Sequence, residues 1–332
     1  MDRVEKALHG VDLSGRGLEV GPSYNPLVRK ASGARIETVD HATQAELVEK
    51  YRGMNLPQES LDRIEPVDHL WHGGSLLNVI EERGAYDYIL ASHFVEHTVD
   101  MIGFLTDCEA LLKPDGKLAL VVPDKRFCFD RFQPLSTVGD VLDGHHAGAA
   151  FHPAGALVDH QAYACTSGGE IAWSPDSGGE LAAQFPGLEG AKDALENGHA
   201  QKEYFDIHRW KFTPTSFELL MGDLRRLGQH SFGVLESFPT EGFEFFVTLG
   251  KDVPEPIEHD RVEVLLTIEK ELLDASWSSS SASDMTRHQI AILSAHNDAL
   301  QRRIDELYRS RSWRLTRPVR GAAQLVHRWI NR

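Results

Sequence analysis

Cysteine is scarce in this 332-residue chain. Cys108, Cys128 and Cys165 are odd in number and none stands in a CxxC pair, which argues against a disulfide framework or a zinc ribbon and fits a reducing compartment. No run of about 18 apolar residues occurs, so no membrane-spanning helix is expected. The first residues, MDRVEKALHGVDLSGRG, lack an apolar stretch of signal-peptide length, and a cytoplasmic location is expected. Basic residues are also short, with 34 Lys and Arg against 50 Asp and Glu and a net charge of −16. The deficit is uneven: from Arg302 to Arg332 nine arginines face only Asp305 and Glu306, a balance of +7 that leaves −23 on everything before it. A body so negative repels phosphate, which disfavours a general nucleic-acid binder, and no nucleic-acid partner is expected. The dinucleotide fingerprint GxGxxG is missing, which disfavours a pyrophosphate cradle and with it a nicotinamide dehydrogenase.

What is present is an ordinary globular composition, 41% hydrophobic and 25% charged, at a length that allows one large domain and a smaller piece. Short β-rich runs alternate with helical stretches, the pattern of a mostly parallel sheet covered by helices. Strands are expected at 17–21, 34–40, 64–71, 86–93 and 116–124, and a helix at 101–112 that stops at Lys113-Pro114-Asp115-Gly116. After Asp124 the rhythm fails over residues 125–211, rich in Gly, Pro, Asp and His, which is expected to form a long insertion. Regular structure resumes at 212–228, where Thr213 reads as an N-cap, Pro214 as the first helical residue and Gly228 as the stop. Two strands, 232–238 and 243–250, then suggest an antiparallel hairpin about a four-residue turn. The expected organisation is a catalytic domain at 1–252, a linker and helical, coiled-coil-like stalk at 253–309, and a basic amphipathic tail at 310–332.

GLEVGPSYNP places Glu19 inside the first strand and Gly21 at its carboxyl end, where open α/β sheets bind ligands and where glycine allows close backbone approach. Asp40, about 20 residues on, ends the second strand in position to accept hydrogen bonds from both hydroxyls of a ribose. Two carboxylates suit a ligand with ammonium and sulfonium charge better than one with phosphates. Gly21 also reads as a turn glycine and Asp40 as an N-cap, whereas a carboxylate inside an apolar strand has no such ordinary reading, because leaving it unpaired costs several kcal/mol.

In these segments the chain resembles the class I S-adenosylmethionine (SAM)-dependent methyltransferases, particularly the group whose fourth strand runs into Glu-His. GLEVGPSYNP is similar to their first motif and VDHAT to their acidic second strand end. YDYILASHFVEHTVDMIGFLTDCEALLKPDGKLALVVPD resembles their fourth strand, helix and fifth strand, and 232–250 their closing strands. The resemblance covers roughly 15–125 and 212–250, with GPSYN in place of the family's GxGxG and Trp71-His72 where an Asp often contacts adenine. It implies a Rossmann-like methyltransferase fold and SAM as cofactor, with Glu19, Gly21, Pro22, Asp40, Trp71, His72, Ser92 and His93 on the cofactor side. It also places His93, Glu96 and His97 between the methionine part of SAM and the acceptor. The Asn-Pro-Pro-aromatic run of amine methyltransferases is absent from ASHFVEH, which favours an oxygen acceptor. A hydroxyl must lose its proton, and imidazole is the side chain best matched to take it, so His93 and His208 are the candidate bases.

Substrate contacts are expected from His97, from Asp124, Arg126 and Asp130 in the alternating charges and rings of VPDKRFCFDRF, from His160 and from Trp210, which also reads as a packing anchor. The insertion carries His145, His146, His152, His160, His199 and His208, but with neither HExxH nor paired cysteines no metal is expected. Ser310 to Arg320 resembles the SxSWRLTxPxR tail of many bacterial glycosyltransferases and surface-polysaccharide proteins. It implies a glycan-assembly setting, with a glycan, sugar-nucleotide or lipid-linked sugar as acceptor. Arginines mixed with Trp313 and Trp329 fit an anionic membrane surface at the inner face of the cytoplasmic membrane, and 261–309 fit self-association or a glycosyltransferase partner. Methylation of a small metabolite or lipid head group, and a non-catalytic binding or scaffold subunit, are the rival readings.

Overall fold

The computed structural model describes residues 1–197, 202–251, 253–254 and 260–276. His199, the second half of the expected stalk and the whole basic tail lie outside the described residues.

Seven strands form one sheet in the order β3-β2-β1-β4-β5-β9-β8. The first five, β1 (Arg16–Val20), β2 (Arg35–Asp40), β3 (His69–Leu70), β4 (Tyr86–Ser92) and β5 (Leu112–Pro123), run parallel. Central strands buried on both faces read as unbroken apolar runs, and YILAS and LALVVP do so. β8 (Gly233–Glu241) and β9 (Glu244–Gly250) close the sheet antiparallel, β9 lying between β5 and β8. This is the mostly parallel, Rossmann-like sheet with an antiparallel closing hairpin that the resemblance implied. The hairpin turns on Gly242 and Phe243 alone, with Gly242 at φ +64°, so the expected four-residue turn is two residues long. Pro239 sits in β8, an edge strand where its missing N–H is tolerated.

Two other expectations are corrected. The third strand is only two residues long. Pro66 lacks a donor, and the Asp68 carboxylate accepts from the Thr38 N–H at 2.8 Å in place of a ladder carbonyl. β5 begins before Lys113-Pro114-Asp115-Gly116 rather than after it, because Leu112 pairs with Tyr86 and the register then jumps to Lys117 beside Tyr88, looping the four residues out.

Alternation splits the side chains of the sheet into two layers. Leu18, Val20, Ile89, Ala91, Leu118, Leu120 and Val122 face a core completed by α4 (Met101–Leu111) and α8 (Pro214–Arg226). Tyr88, Leu90, Ala119, Val121 and Phe246 face the other way, against Ala7 of α1 (Arg3–Ala7) and against Leu27 and Val28. That second face is thus covered by one short helix and by the segment that follows β1. α8 has the expected start, with Thr213 and Ser216 in a reciprocal capping box and Pro214 at the first turn.

The insertion is more regular than its composition suggested. It forms α5 (Val138–Ala147), α6 (Ala154–Tyr163), a small pair β6 (Cys165–Ser167) and β7 (Leu181–Ala183), and α7 (Glu189–Glu196). Ala156, Leu157, Ala194 and Ile207 make its own small core. Beyond the sheet, α2 (Gln44–Gly53) and α3 (Gln58–Leu61) follow β2, and α9 (Arg261–Ser276) is the first helix of the expected stalk.

Candidate active site

The chain order reverses at β1 and β4, so the crevice for a ligand lies above the carboxyl ends of these strands. Only three described non-glycine residues have left-handed φ, and two of them, Ser23 (+48°) and His93 (+50°), follow β1 and β4. Strained backbone concentrated at such ends is a mark of a working site. Gly21 is also left-handed, at φ +64°, and a Cβ there would lie 2.8 Å from the Phe94 ring. No other residue fits that turn. Phe94 stacks in turn near Trp71, with ring centroids 5.6 Å apart.

Asp40 is buried and its carboxylate accepts from the Ser23 N–H (3.0 Å) and from the His41 N–H (2.7 Å), which ties the ends of β1 and β2 together. Glu19 lies 1% exposed and accepts from the Leu27 N–H (2.6 Å) and the Val28 N–H (3.4 Å), so its carboxyl pins the segment after β1. Burial pushes that carboxyl up to about 7. Pro22 is part of the same turn, Ser92 accepts from Arg3 at 3.2 Å, and His72 is exposed beyond β3. This half of the crevice offers carboxylates, two rings and a tight backbone turn. Such donors and acceptors fit a ribose, an adenine and a cationic methionine part, the pieces of SAM.

Beyond the end of β4 three histidines converge on one carboxylate. Glu96 is fully buried, and neither of its oxygens has a hydrogen-bond partner among the described residues. Its Oε1 lies 3.6 Å from His93 Nδ1, 3.8 Å from His97 Nε2 and 3.9 Å from His208 Nε2. The far nitrogen of each ring meets a different carboxylate. His93 Nε2 donates to Glu244 Oε2 at 2.7 Å, and Glu244 is held in turn by Arg3. His97 Nδ1 is 3.0 Å from Asp206, and His208 Nδ1 is paired with Asp130. Burial lowers the His97 pKa, but Asp206 and Glu96 outweigh it and raise the ring above its ordinary value, while His97 holds Asp206 down at about 2. Burial likewise raises Asp130, and the His208 imidazole with Lys211 and His160 reverses this and holds it below the usual carboxylate range. His160 on α6 packs edge-on against Phe129, which also stacks on His208, so the insertion closes over the cluster. His152 is buried nearby as a neutral ring, pushed down to about 4 by burial and by Arg209.

Of the residues singled out in the sequence, the fold therefore gathers Glu19, Gly21, Pro22, Asp40, Trp71, Ser92 and His93 about the crevice, and His93, His97, Asp130, His160 and His208 about Glu96. Three expected substrate contacts are placed elsewhere. Asp124 is fully buried and bound by Arg126 and Thr240, and Arg126 also donates to the Glu271 carbonyl at 3.0 Å, so the pair fastens α9 to the sheet. Trp210 is 1% exposed, with its indole N–H donating to the Thr98 carbonyl at 2.8 Å, and it acts as a packing anchor. Nothing local in the sequence pointed to Arg3 or Glu244, because Glu244 meets His93, and Arg3 meets Glu244, only through the tertiary fold. Phe94 was readable as the residue before Val95-Glu96-His97, although its role beside Gly21 was not.

No curated protein matches the chain. Solved structures do match, among them a candidate sarcosine dimethylglycine methyltransferase from Galdieria sulphuraria, at 21% identity over 36% of this chain and 41% of that one, with a TM-score of 0.25. A SAM-dependent methyltransferase from Aquifex aeolicus matches at 12% identity over 74% of this chain and 88% of its own, with a TM-score of 0.36. The 1,6-didemethyltoxoflavin-N1-methyltransferase of Burkholderia thailandensis, solved with S-adenosylhomocysteine, matches at 14% over 74% of each chain, with a TM-score of 0.35. Such low identities and TM-scores do not carry the assignment, which rests on the family comparison. The family described as "Methyltransferase domain" matches residues 1–223, about two thirds of the sequence and the part that builds the crevice and the histidine cluster, and the chain belongs to that family.

Proposed function

We propose that the protein is a SAM-dependent methyltransferase that methylates a hydroxyl oxygen, on a sugar of a bacterial surface polysaccharide or of its nucleotide- or lipid-linked precursor. The observation that carries an oxygen acceptor is the imidazole of His93, held beside the crevice by Glu244 and Arg3. SAM supplies a methyl group already activated on a sulfonium, so placement of the acceptor accounts for much of the acceleration. Asp40 would hold the ribose hydroxyls, the turn from Gly21 to Ser23 the methionine end, and Trp71 with Phe94 the adenine side. A carboxylate only accepts hydrogen bonds, so Glu244 keeps the proton of the neutral His93 ring on Nε2 and leaves the Nδ1 lone pair free to take the acceptor proton. His208, deeper and tied to Asp130, positions the acceptor rather than deprotonating it.

The sugar setting is supported by the SxSWRLTxPxR tail and by the insertion that closes over the acceptor side. The same tail suggests work at the inner face of the cytoplasmic membrane. No described helix is long and apolar enough to cross one. Titration calorimetry of SAM into the full chain, with Asp40→Ala beside it, tests the first half of this reading: micromolar binding is expected, lost in the variant. Methyl transfer to a panel of nucleotide sugars and glycans then tests the second. Absence of SAM binding to folded, cofactor-stripped protein would leave a non-catalytic binding subunit as the better reading, one that the replacement of GxGxG by GPSYN already favours.

A further inference from the structure

The arrangement around Glu96 is unstable as it stands. A fully buried carboxylate with two unpartnered oxygens costs several kcal/mol or more, yet here it faces three imidazoles whose far nitrogens are each engaged by a carboxylate. In neutral rings anchored this way the near nitrogens present lone pairs, so lone pairs face lone pairs across 3.6–3.9 Å. Positive charge relieves this, either as a metal ion between the donors or as protons on the rings.

We propose that Glu96, His97 and His208 bind a divalent first-row transition-metal ion, and that this ion takes the acceptor hydroxyl beside His93. One donor atom from each of the three residues lies within 4.8 Å of the others. Donors about 2.1 Å from an ion stand about 3.0–3.4 Å apart, so less than about 1 Å of inward movement completes the site. Two histidines and one carboxylate suit zinc, manganese, iron or cobalt and leave positions open for oxygen ligands, whereas magnesium prefers oxygen donors throughout. Asp206 and Asp130 stand behind His97 and His208 as the partners that usually fix the tautomer of a metal-binding imidazole. A second grouping, Cys128, Asp130 and His208, is less suited, because the Asp130 oxygens already accept from His208 and from Gln133.

The role of the ion deepens the methyltransferase reading and rests on it. A hydroxyl bound to such an ion is far more acidic than a free one. Its proton passes to His93 Nδ1, and the oxygen lone pair forms the new bond to the methyl carbon. The methyl–sulfur bond breaks with its electron pair staying on sulfur, leaving a neutral thioether. A vicinal diol, as on a sugar ring, can occupy two open positions at once, which makes the site selective for polyhydroxylated acceptors.

The full chain, stripped with chelator, is titrated with Co2+ while the visible d–d absorption is followed, and with Zn2+ and Mn2+ by calorimetry. One equivalent is expected to bind. Glu96→Gln and His208→Gln should weaken it by about a hundredfold or more, and Asp130→Asn by about 10–100-fold. Glu96→Gln removes the buried charge and should raise the melting temperature of the metal-free protein, which separates a lost ligand from a lost fold. Asp40→Ala should keep the metal and lose SAM, so failure of the metal site and failure of the methyltransferase reading are distinguished. No binding to metal-free protein that still binds SAM, or binding unchanged in Glu96→Gln, overturns the proposal and assigns the cluster to bound protons instead.

Discussion

Glu19 shows how one side chain serves two ends. Its carboxyl is the most constrained part of the segment that walls the crevice, and its pKa of about 7, against an ordinary 4.5, makes folding depend on pH. Below pH 4.5 the folded and unfolded chains both hold this proton. Between 4.5 and 7 only the folded chain does, so stability falls as pH rises through that window, by roughly 3 kcal/mol in all. Glu19→Gln removes the dependence. Urea unfolding at pH 5 and at pH 8.5 should show wild type losing roughly 3 kcal/mol more than the variant. Such a residue was conspicuous in the sequence because a carboxylate has no ordinary place in an apolar strand. Glu244 was not, since nothing local distinguishes it from a surface acid; only the return of β9 brings it to His93.

Among the elements, those with local punctuation were legible and those held by distant partners were not. Gly21, the β4 strand and the start of α8 carry their own signals in turn, apolar run and cap. The helices of the insertion are short, with faces of alanine and histidine that give little apolar contrast, and their order comes from packing against Ile207 and Phe129. The cap of α8 gives a clean test of a local signal: Thr213 is fully buried and its side chain accepts from Ser216. Thr213→Ala should cost about 2 kcal/mol, near the upper end of cap effects because the group is buried, and calorimetric melting of the variant would register it. At the carboxyl end, Arg126 bound to Asp124 and to Glu271 explains why two residues that looked suited to gripping substrate do not face the acceptor side.

At the scale of the molecule the charge is divided between an acidic body and a basic tail. The acidic body has no general affinity for anionic surfaces, so any such affinity must come from the tail. Sedimentation with vesicles containing phosphatidylglycerol should therefore retain the full chain at low salt and release it when Arg302 to Arg332 are deleted. SAM affinity should be unchanged by the deletion, because every residue assigned to the cofactor lies before His97.

The thin second face of the sheet carries a final consequence. Residues 21–28 form one wall of the crevice and also supply Leu27 and Val28, which shield Tyr88 and Leu90 from water. Opening that wall to release a spent cofactor therefore uncovers the central strands on one side, and ligand exchange is coupled to local unfolding. Amide hydrogens of β1 and β4 should exchange with deuterium as a group, more slowly when S-adenosylhomocysteine is bound, while those of β8 keep their own rate. Cofactor exchange in such a molecule is expected to keep pace with breathing of the sheet's cover.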